Sequence, residues 1–138
     1  MAHLPSAPFL EHIGIQHKGV EAGVATTEVE LAPHHMNRLG VAHGGVISTL
    51  LDTAMVGAAR AVGAPGCGIA TIEMKTSFMR AGRGMLRCSA RCVHHSSTLA
   101  FCEAEVRSAD GKLVAGASGT YRYLPGAMAV RVSGTPAA

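Results

Sequence analysis

The run from Val46 to Val62 is long enough for a helix, and almost every position in it is apolar or small. A helix of this composition is stable in water only when other parts of the protein cover most of its sides. Gly44 and Gly45 stand directly before the run, and Gly63 and Pro65 follow it, as is typical of helix boundaries. The chain is therefore constrained to fold around one buried helix.

Much of the remaining sequence alternates apolar with polar residues, which is the pattern of strands buried on one face. The expected strands are 13–20 (an edge strand), 24–31, 69–79, 86–92, 100–107 and 112–124, with a short helix over 6–12. The predicted fold class is α+β: one long central helix wrapped by a curved antiparallel sheet of about five or six strands. We expect a single domain over 1–138, with a core at about 8–124 and a loose tail over 125–138.

Composition excludes several classes of protein. Hydrophobic residues make up 48% of the chain and charged residues 15%, against ~25% charged in an average soluble domain. Disorder is excluded, and the shortage of charge suggests that another subunit covers part of the surface. We expect no segment with the ~20 apolar residues of a membrane span and see no secretory signal, so a cytoplasmic protein without a membrane partner is predicted.

Nucleic acid and metal partners are not expected either. The net charge of +3 comes from scattered basic residues, and aromatic residues are few, so no nucleic-acid surface is visible. Two histidine pairs, 34–35 and 94–95, are adjacent and would point to opposite faces of a strand, which argues against a metal site and leaves no cofactor to expect. The cysteines lack a C-x-x-C pair and are interpreted as reduced core residues, with a zinc or redox site as the alternative; they are Cys67, Cys88, Cys92 and Cys102.

The chain contains two aspartates in very different settings. Asp110 precedes Gly111 between two strand-like segments, as in a hairpin turn. Asp52 lies inside the apolar helix, where a carboxylate must be paired or catalytically used. A hydrogen bond to Ser48 or Thr49, or an ion pair with a distant arginine, is the structural alternative to a role as general base or nucleophile.

Hydrogen-bond donors that suit a carbonyl oxygen precede Asp52 in the sequence. The backbone N–H groups of Gly44 and Gly45 are expected to be free at the positive end of the helix dipole, and Asn37 supplies a side-chain amide in the preceding loop. Eight residues of helix separate Gly44 from Asp52 by ~12 Å, too far for both to reach one reacting carbonyl. Two antiparallel copies of the helix would bring Gly44 of one copy near Asp52 of the other, which predicts an intersubunit site in a dimer.

These residues stand within a longer ordered set of motifs. The set comprises Asn37, H-G-G at 43–45, Asp52, T-I-E-M at 71–74, S-F-M-R at 77–80, S-T-L-A-F at 97–101 and G-K-L-V-A at 111–115. Over about residues 8–124 the chain resembles the hotdog-fold acyl-CoA thioesterases of the phenylacetate pathway, the PaaI-like group. The resemblance implies a hotdog fold, acyl-CoA as substrate, and at least a homodimer within a homotetramer.

The resemblance also assigns catalytic roles. Gly44 matches the residue whose N–H polarises the thioester carbonyl, with Asn37 assisting. Asp52 matches the carboxylate of the partner subunit, which activates water or attacks directly. Thr71 matches a position where some relatives use serine to orient water, and His43 is expected to position the helix in preference to acting as a base.

For the substrate, pantetheine would lie near 77–79 and 95–97, and Arg80 and Arg83 would meet the nucleotide phosphates, or else form a solvated basic turn. The expected substrate-binding residues are Gly45, Met55, Val56, Met79, Arg80, His95, Ser96 and Ser97, with Leu39, Val41, Ala59 and Met74 also lining the acyl pocket. Two positions depart from the family pattern: Ala81 stands where many relatives have proline, and Ser96-Ser97 stand where many have a basic residue.

The acyl group is not determined by these residues, and phenylacetyl, hydroxylated aroyl and medium-chain groups all remain open. The alternative function is that of a non-catalytic acyl-CoA binding or sensor protein. A hydratase would be expected to pair histidine with a carboxylate in other motifs.

Overall fold

The computed structural model describes residues 6–126, and most of the predicted tail lies outside this range. Its elements, from Pro8 to Leu124, occupy the range expected for the core. They are α1 (Pro8–Ile13), β1 (Gln16–Glu21), β2 (Val24–Glu30), a 3-10 turn (Pro33–His35), α2 (Gly44–Val62), β3 (Gly68–Phe78), β4 (Met85–His95), β5 (Leu99–Ser108) and β6 (Leu113–Leu124). All strand pairs are antiparallel, and the sheet order is β1-β2-β4-β5-β6-β3. The predicted α+β class, with six strands around one long helix, is confirmed.

Helix α2 is covered on one side by the sheet. Its inner residues are fully or nearly fully buried; they are Ile47, Leu50, Leu51, Ala54, Met55, Gly57, Ala58 and Ala59. Small residues allow close contact, because a Cβ added to Gly57 would come within 2.5 Å of the His17 ring. The helix ends at Gly63, where a side chain would collide with the ring of Tyr123.

By length and composition alone, α2 could cross a membrane. Its mean hydropathy over an 18-residue window is 1.3, and 50% of that window is buried inside the fold. The expectation that no segment is long and apolar enough to span a membrane is therefore wrong. Asp52 and Arg60 interrupt the apolar run, but the mean hydropathy of the helix stays as high as that of a membrane-spanning helix. Packing against the sheet accounts for the same composition.

Strands β4 and β5 alternate as predicted, with apolar side chains towards α2 and charged ones away from it. Cys88 and Cys102 belong to the buried rows, and the four cysteines are free. The predicted core position is therefore confirmed for Cys88 and Cys102, whereas Cys67 and Cys92 are only half-buried and pack against the core.

These buried thiols predict a loss of stability in alkali. Burial raises the pKa of the Cys88 and Cys102 thiols from 9.0 to about 12. The unfolded chain releases these protons near the ordinary value while the folded protein still holds them, so the stability present below pH 9.0 is lost as the pH rises towards about 12. The urea midpoint, followed by circular dichroism, should fall over this range, and less steeply in Cys88→Ala. A constant midpoint would contradict the prediction.

Strand β3 has a bulge beside the helix. Thr71 pairs with Tyr121 and Glu73 pairs with Thr120, so Ile72 is an extra residue without a cross-strand partner. Thr71 consequently faces α2 on the same side of the sheet as Tyr121. Glu73 lies on the opposite face, where its carboxylate accepts a hydrogen bond from the Thr120 hydroxyl at 2.9 Å.

The two edges of the sheet differ. Strand β1 is six residues long, carries an irregularity between His17 and Gly19, and is exposed throughout. Strand β3 is eleven residues long and leaves Ile72 and Phe78 53% and 54% exposed. A long edge with exposed apolar side chains is suited to pairing with another strand.

Candidate active site

Asp52 lies in the third turn of α2, at the point where the helix crosses β3 and β6. Its Oδ1 atom accepts two hydrogen bonds, from the Thr71 hydroxyl at 2.9 Å and from the Tyr121 hydroxyl at 2.8 Å. The alternative pairing with Ser48, Thr49 or an arginine is wrong: the Thr49 hydroxyl donates to the Gly45 carbonyl instead, at 2.7 Å. The family resemblance assigned Thr71 to the orientation of water, and the structure places its hydroxyl against Asp52 because the bulge in β3 makes Thr71 face the helix.

Tyr121 is the residue that sequence reasoning missed. It is fully buried in β6, and both burial and the charge of Asp52 raise the pKa of its hydroxyl, which therefore stays protonated and remains a donor. A signal was available: the chain has two tyrosines, and the alternation that starts at Gly119 points both Tyr121 and Tyr123 inwards. The need of a buried carboxylate for a donor could have singled one of them out.

At the start of α2, His43 is the N-cap residue. Its Nδ1 accepts a hydrogen bond from the Gly45 N–H at 2.8 Å, so a neutral ring carries its proton on Nε2. The expectation that both glycine N–H groups are free is therefore wrong for Gly45, because the helix begins at Gly44 and its second N–H is capped. The Gly44 N–H makes no hydrogen bond to any residue in the range 6–126.

The loop before α2 is held by Asn37. Its Oδ1 accepts hydrogen bonds from the N–H groups of Leu39 at 2.9 Å and Val41 at 3.3 Å. With the carbonyl oxygen used in this way, the side-chain NH₂ group is left as the donor that the loop can offer a ligand. The loop also contacts the β3–β4 turn, since the Ala42 N–H donates to the Gly82 carbonyl at 3.0 Å.

One chain therefore holds two half-sites. Asp52, Thr71 and Tyr121 form the first, and the Gly44 N–H with the Asn37 loop forms the second. Both lie on or beside α2, separated by ~12 Å of helix. The Phe78 ring marks the Gly44 end, because a Cβ added to Gly44 would lie 3.5 Å from it.

Comparison with known proteins identifies the family. The model of the Thioesterase superfamily matches residues 39–115, which is more than half of the chain. The chain belongs to the thioesterase superfamily. The solved structure of a conserved protein from Pseudomonas aeruginosa is 35% identical, with a TM-score of 0.81, and the match covers 86% of this chain and 95% of that one.

Two further relatives extend the picture. The structure of a point mutant of the phenylacetic acid degradation protein PaaI from Thermus thermophilus is 30% identical with a TM-score of 0.76, covering 86% of this chain and all of that one (100%). A protein of Caenorhabditis elegans described as an esterase is 33% identical over 103 residues, which is 71% of this chain. This chain spans only 59% of the length of that relative. The hotdog thioesterase fold and the PaaI-like resemblance are confirmed.

Within this thioesterase fold, the predicted acyl-pocket residues separate into two groups. Met55 and Ala59 are fully buried in the core of the single chain, so the expectation that they line an accessible pocket is not met by this chain alone. The end of the Met55 side chain packs against the sheet at Gly119, where an added Cβ would lie 3.2 Å from it. Val41, Val56 and Met74 are half-buried, and Leu39 is 84% exposed; these four could contact a ligand.

The residues predicted to bind coenzyme A lie at the surface, but some have intramolecular partners. The Arg80 guanidinium donates to the Leu113 carbonyl at 3.0 Å. The Ser96 hydroxyl accepts from the N–H groups of Thr98 and Leu99, so it stabilises the β4–β5 turn. Met79 lies beside Gly116. His95, Ser97 and Arg83 are exposed.

The histidines do not form a metal site in the part of the chain that is described, where no three His, Cys, Asp or Glu side chains could hold an ion. His34 and His35 lie in a 3-10 turn, not in a strand, and their ring centroids are 4.0 Å apart. His35 is buried; its Nδ1 accepts from the Ala32 N–H and its Nε2 donates to the Ile13 carbonyl at 2.6 Å. It ties the loop to α1.

An open groove of about 610 Å³ lies across the outer face of the sheet, and neither half-site lies in it. Charged side chains line it, including Lys75, Arg91, Glu103 and Glu105. Because this groove contains neither half-site, the half-sites on α2 remain the candidate site.

Proposed function

We propose that the chain is an acyl-CoA thioesterase that hydrolyses an acyl- or aroyl-CoA to the free acid and CoA. The observation that carries this proposal is the Asp52 carboxylate, which two hydroxyls hold on the apolar helix of a thioesterase-superfamily fold. The PaaI name of one relative supports a phenylacetyl-like substrate, and a medium-chain acyl group is compatible with the half-buried apolar residues. We expect no metal or other cofactor.

The active site would be shared between two subunits. Strand β3 passes both half-sites, since Thr71 lies beside Asp52 and Phe78 lies beside Gly44. The point between Met74 and Lys75 is equally far along the strand from Thr71 and from Phe78. If two β3 edges pair antiparallel about a two-fold axis through that point, the Asp52 half-site of one copy faces the Gly44 half-site of the other. Pairing would also cover the exposed Ile72 and Phe78 side chains. We propose this homodimer as the functional unit, assembled further into a homotetramer.

Each half-site then has a role in thioester hydrolysis. The Gly44 N–H and the Asn37 amide would donate to the thioester oxygen and stabilise the negative charge that develops there. Asp52 of the partner subunit would either take a proton from the attacking water or attack the carbonyl carbon itself. His43 would hold the helix start through its hydrogen bond with Gly45.

The coenzyme A part would lie along the surface residues near the β3–β4 and β4–β5 turns. The exposed Arg83, and Arg80 after release of its Leu113 contact, would meet phosphate groups. His95 and Ser97 would lie along the pantetheine chain. We place the enzyme in the cytoplasm, with which four free cysteines are compatible.

A panel of acyl-CoA thioesters tests the proposed function. Phenylacetyl-CoA, a hydroxybenzoyl-CoA and a medium-chain acyl-CoA would be incubated with the protein, and the free thiol of released CoA would be measured. We expect hydrolysis of at least one class with a kcat/KM of about 10⁴ M⁻¹s⁻¹ or more. Binding of the thioesters without hydrolysis of any would favour the non-catalytic acyl-CoA binding protein instead.

A further inference from the structure

Tyr121 forms the deepest contact that Asp52 makes. The tyrosine lies in β6, is fully buried, and donates its hydroxyl to Asp52 Oδ1 at 2.8 Å. It lies beyond residues 39–115, the segment that matches the superfamily model. The motifs that assign the catalytic roles do not include it.

The sheet fixes the position of the Tyr121 ring. A Cβ added to Gly119, two residues earlier on the same face, would lie 2.8 Å from the ring and 3.0 Å from its hydroxyl oxygen. The same point is 3.2 Å from the end of the Met55 side chain. Glycine thus leaves the space in which the ring extends along β6 towards α2.

Both hydroxyl donors reach the same carboxylate oxygen. Thr71 and Tyr121 pair across β3 and β6, and each donates to Oδ1. Oδ2 receives no hydrogen bond from any residue between Ser6 and Gly126. The two oxygens of Asp52 are therefore not equivalent.

We propose that Tyr121 is a positioning residue that, together with Thr71, holds Asp52 through Oδ1 and leaves Oδ2 as the oxygen that acts in catalysis. The proposal rests on the proposed thioesterase function. In the general-base route, Oδ2 takes a proton from water while the water oxygen bonds to the carbonyl carbon. The carbon–sulfur bond then breaks, and the sulfur leaves with that proton. In the nucleophilic route, Oδ2 itself bonds to the carbon, the sulfur leaves as thiolate, and water later hydrolyses the resulting anhydride.

Two phenylalanine variants separate positioning from structural support. Tyr123, like Tyr121, is buried in β6 and donates to α2, but its acceptor is the Ala59 carbonyl at 2.6 Å. Tyr123→Phe thus removes a helix–sheet hydrogen bond without touching Asp52. We expect Tyr121→Phe to lower kcat about ten- to a hundredfold with little change in KM, as for loss of a hydrogen bond to a charged group.

The division between kcat and KM carries the decisive difference. The Tyr121 hydroxyl holds the carboxylate that acts in either route, so its loss should appear in kcat and leave KM nearly unchanged. Tyr123→Phe should keep the wild-type kcat and KM even if it unfolds more easily. The same kcat in Tyr121→Phe as in Tyr123→Phe and the wild type would overturn the proposal.

A spectroscopic measurement is independent of activity. The chain has two tyrosines and no tryptophan, so its near-ultraviolet absorbance reports these two rings. Replacing the charged acceptor by Asp52→Asn should change the Tyr121 absorbance, a spectral difference expected in the wild-type and Tyr123→Phe backgrounds and absent in the Tyr121→Phe background. The same spectral difference in the Tyr121→Phe background would overturn the contact. If the spectra behave as expected but no thioester is hydrolysed, the hydrogen bond stands, whereas the proposed function and the catalytic role assigned to Oδ2 are refuted.

Discussion

Asp52→Asn should lower kcat/KM for thioester hydrolysis by about 10² to 10⁴, the range expected for loss of a general base. Asparagine has nearly the same shape, and its carbonyl oxygen can still accept the hydrogen bonds that Thr71 and Tyr121 donate to Oδ1. The fold should therefore remain while the group that takes the proton or attacks the carbon is lost. Release of the free thiol from acyl-CoA, measured over a range of substrate concentrations, gives the result.

Asp110→Asn is the matched control, because Asp110 is the other aspartate of the chain. It lies in the β5–β6 turn, where its carboxylate accepts hydrogen bonds from the Ser108 hydroxyl and the Lys112 N–H. This variant should hydrolyse thioesters at the wild-type rate. Wild-type activity in Asp52→Asn would contradict the role proposed for Asp52.

Gly44→Pro should lower kcat/KM by about 10² to 10³, as for removal of one oxyanion donor. Proline suits the first position of a helix, and His43 before it is extended, so the substitution removes the N–H while preserving the local backbone. Gly44→Ala keeps the N–H, and its Cβ would make only ordinary contact, at 3.5 Å, with the Phe78 ring. Alanine should therefore lose far less activity than proline, and equal losses would argue against an N–H donor.

Mixed dimers test whether the site is shared. Asp52→Ala and Gly44→Pro chains are each expected to be inactive, and unfolding and refolding them together in equal amounts lets subunits exchange. Random pairing makes half of the dimers mixed, and each mixed dimer has one intact site out of two, so about a quarter of the wild-type sites should return. No regained activity, with mixed dimers shown to form, would refute the intersubunit site.

The fold was predictable because the apolar residues of the sequence follow the periods of helices and strands. The apolar run at Val46–Val62 required a covered helix, and the alternation in β4 and β5 identified strands whose apolar rows cover it. Helix α2 begins two residues before the predicted run. Glycine has a low helix propensity and is common in turns, so the sequence did not show whether Gly44 and Gly45 belong to the helix or to a turn before it. Only the His43 side chain, folded back onto the Gly45 N–H, shows that the first turn includes both.

The candidate site was predictable only in part. Asp52 stood out because a charge in an apolar helix needs a partner, yet the sequence did not reveal which residue supplies it. Tyr121 follows Asp52 by 69 positions, and its contact depends on the pairing of β6 with β3. No local pattern encodes such a contact, and the same is true of the bulge at Ile72.

That bulge determines which face of the sheet Glu73 occupies. In a strand without the bulge, Ile72 would pair with Thr120, and Glu73 would then pair with Gly119 and face α2 instead of solvent. A second carboxylate would enter the space beside Asp52, where the two like charges would repel each other. A single extra residue thus keeps the second acidic group on the outer face of the sheet, away from Asp52.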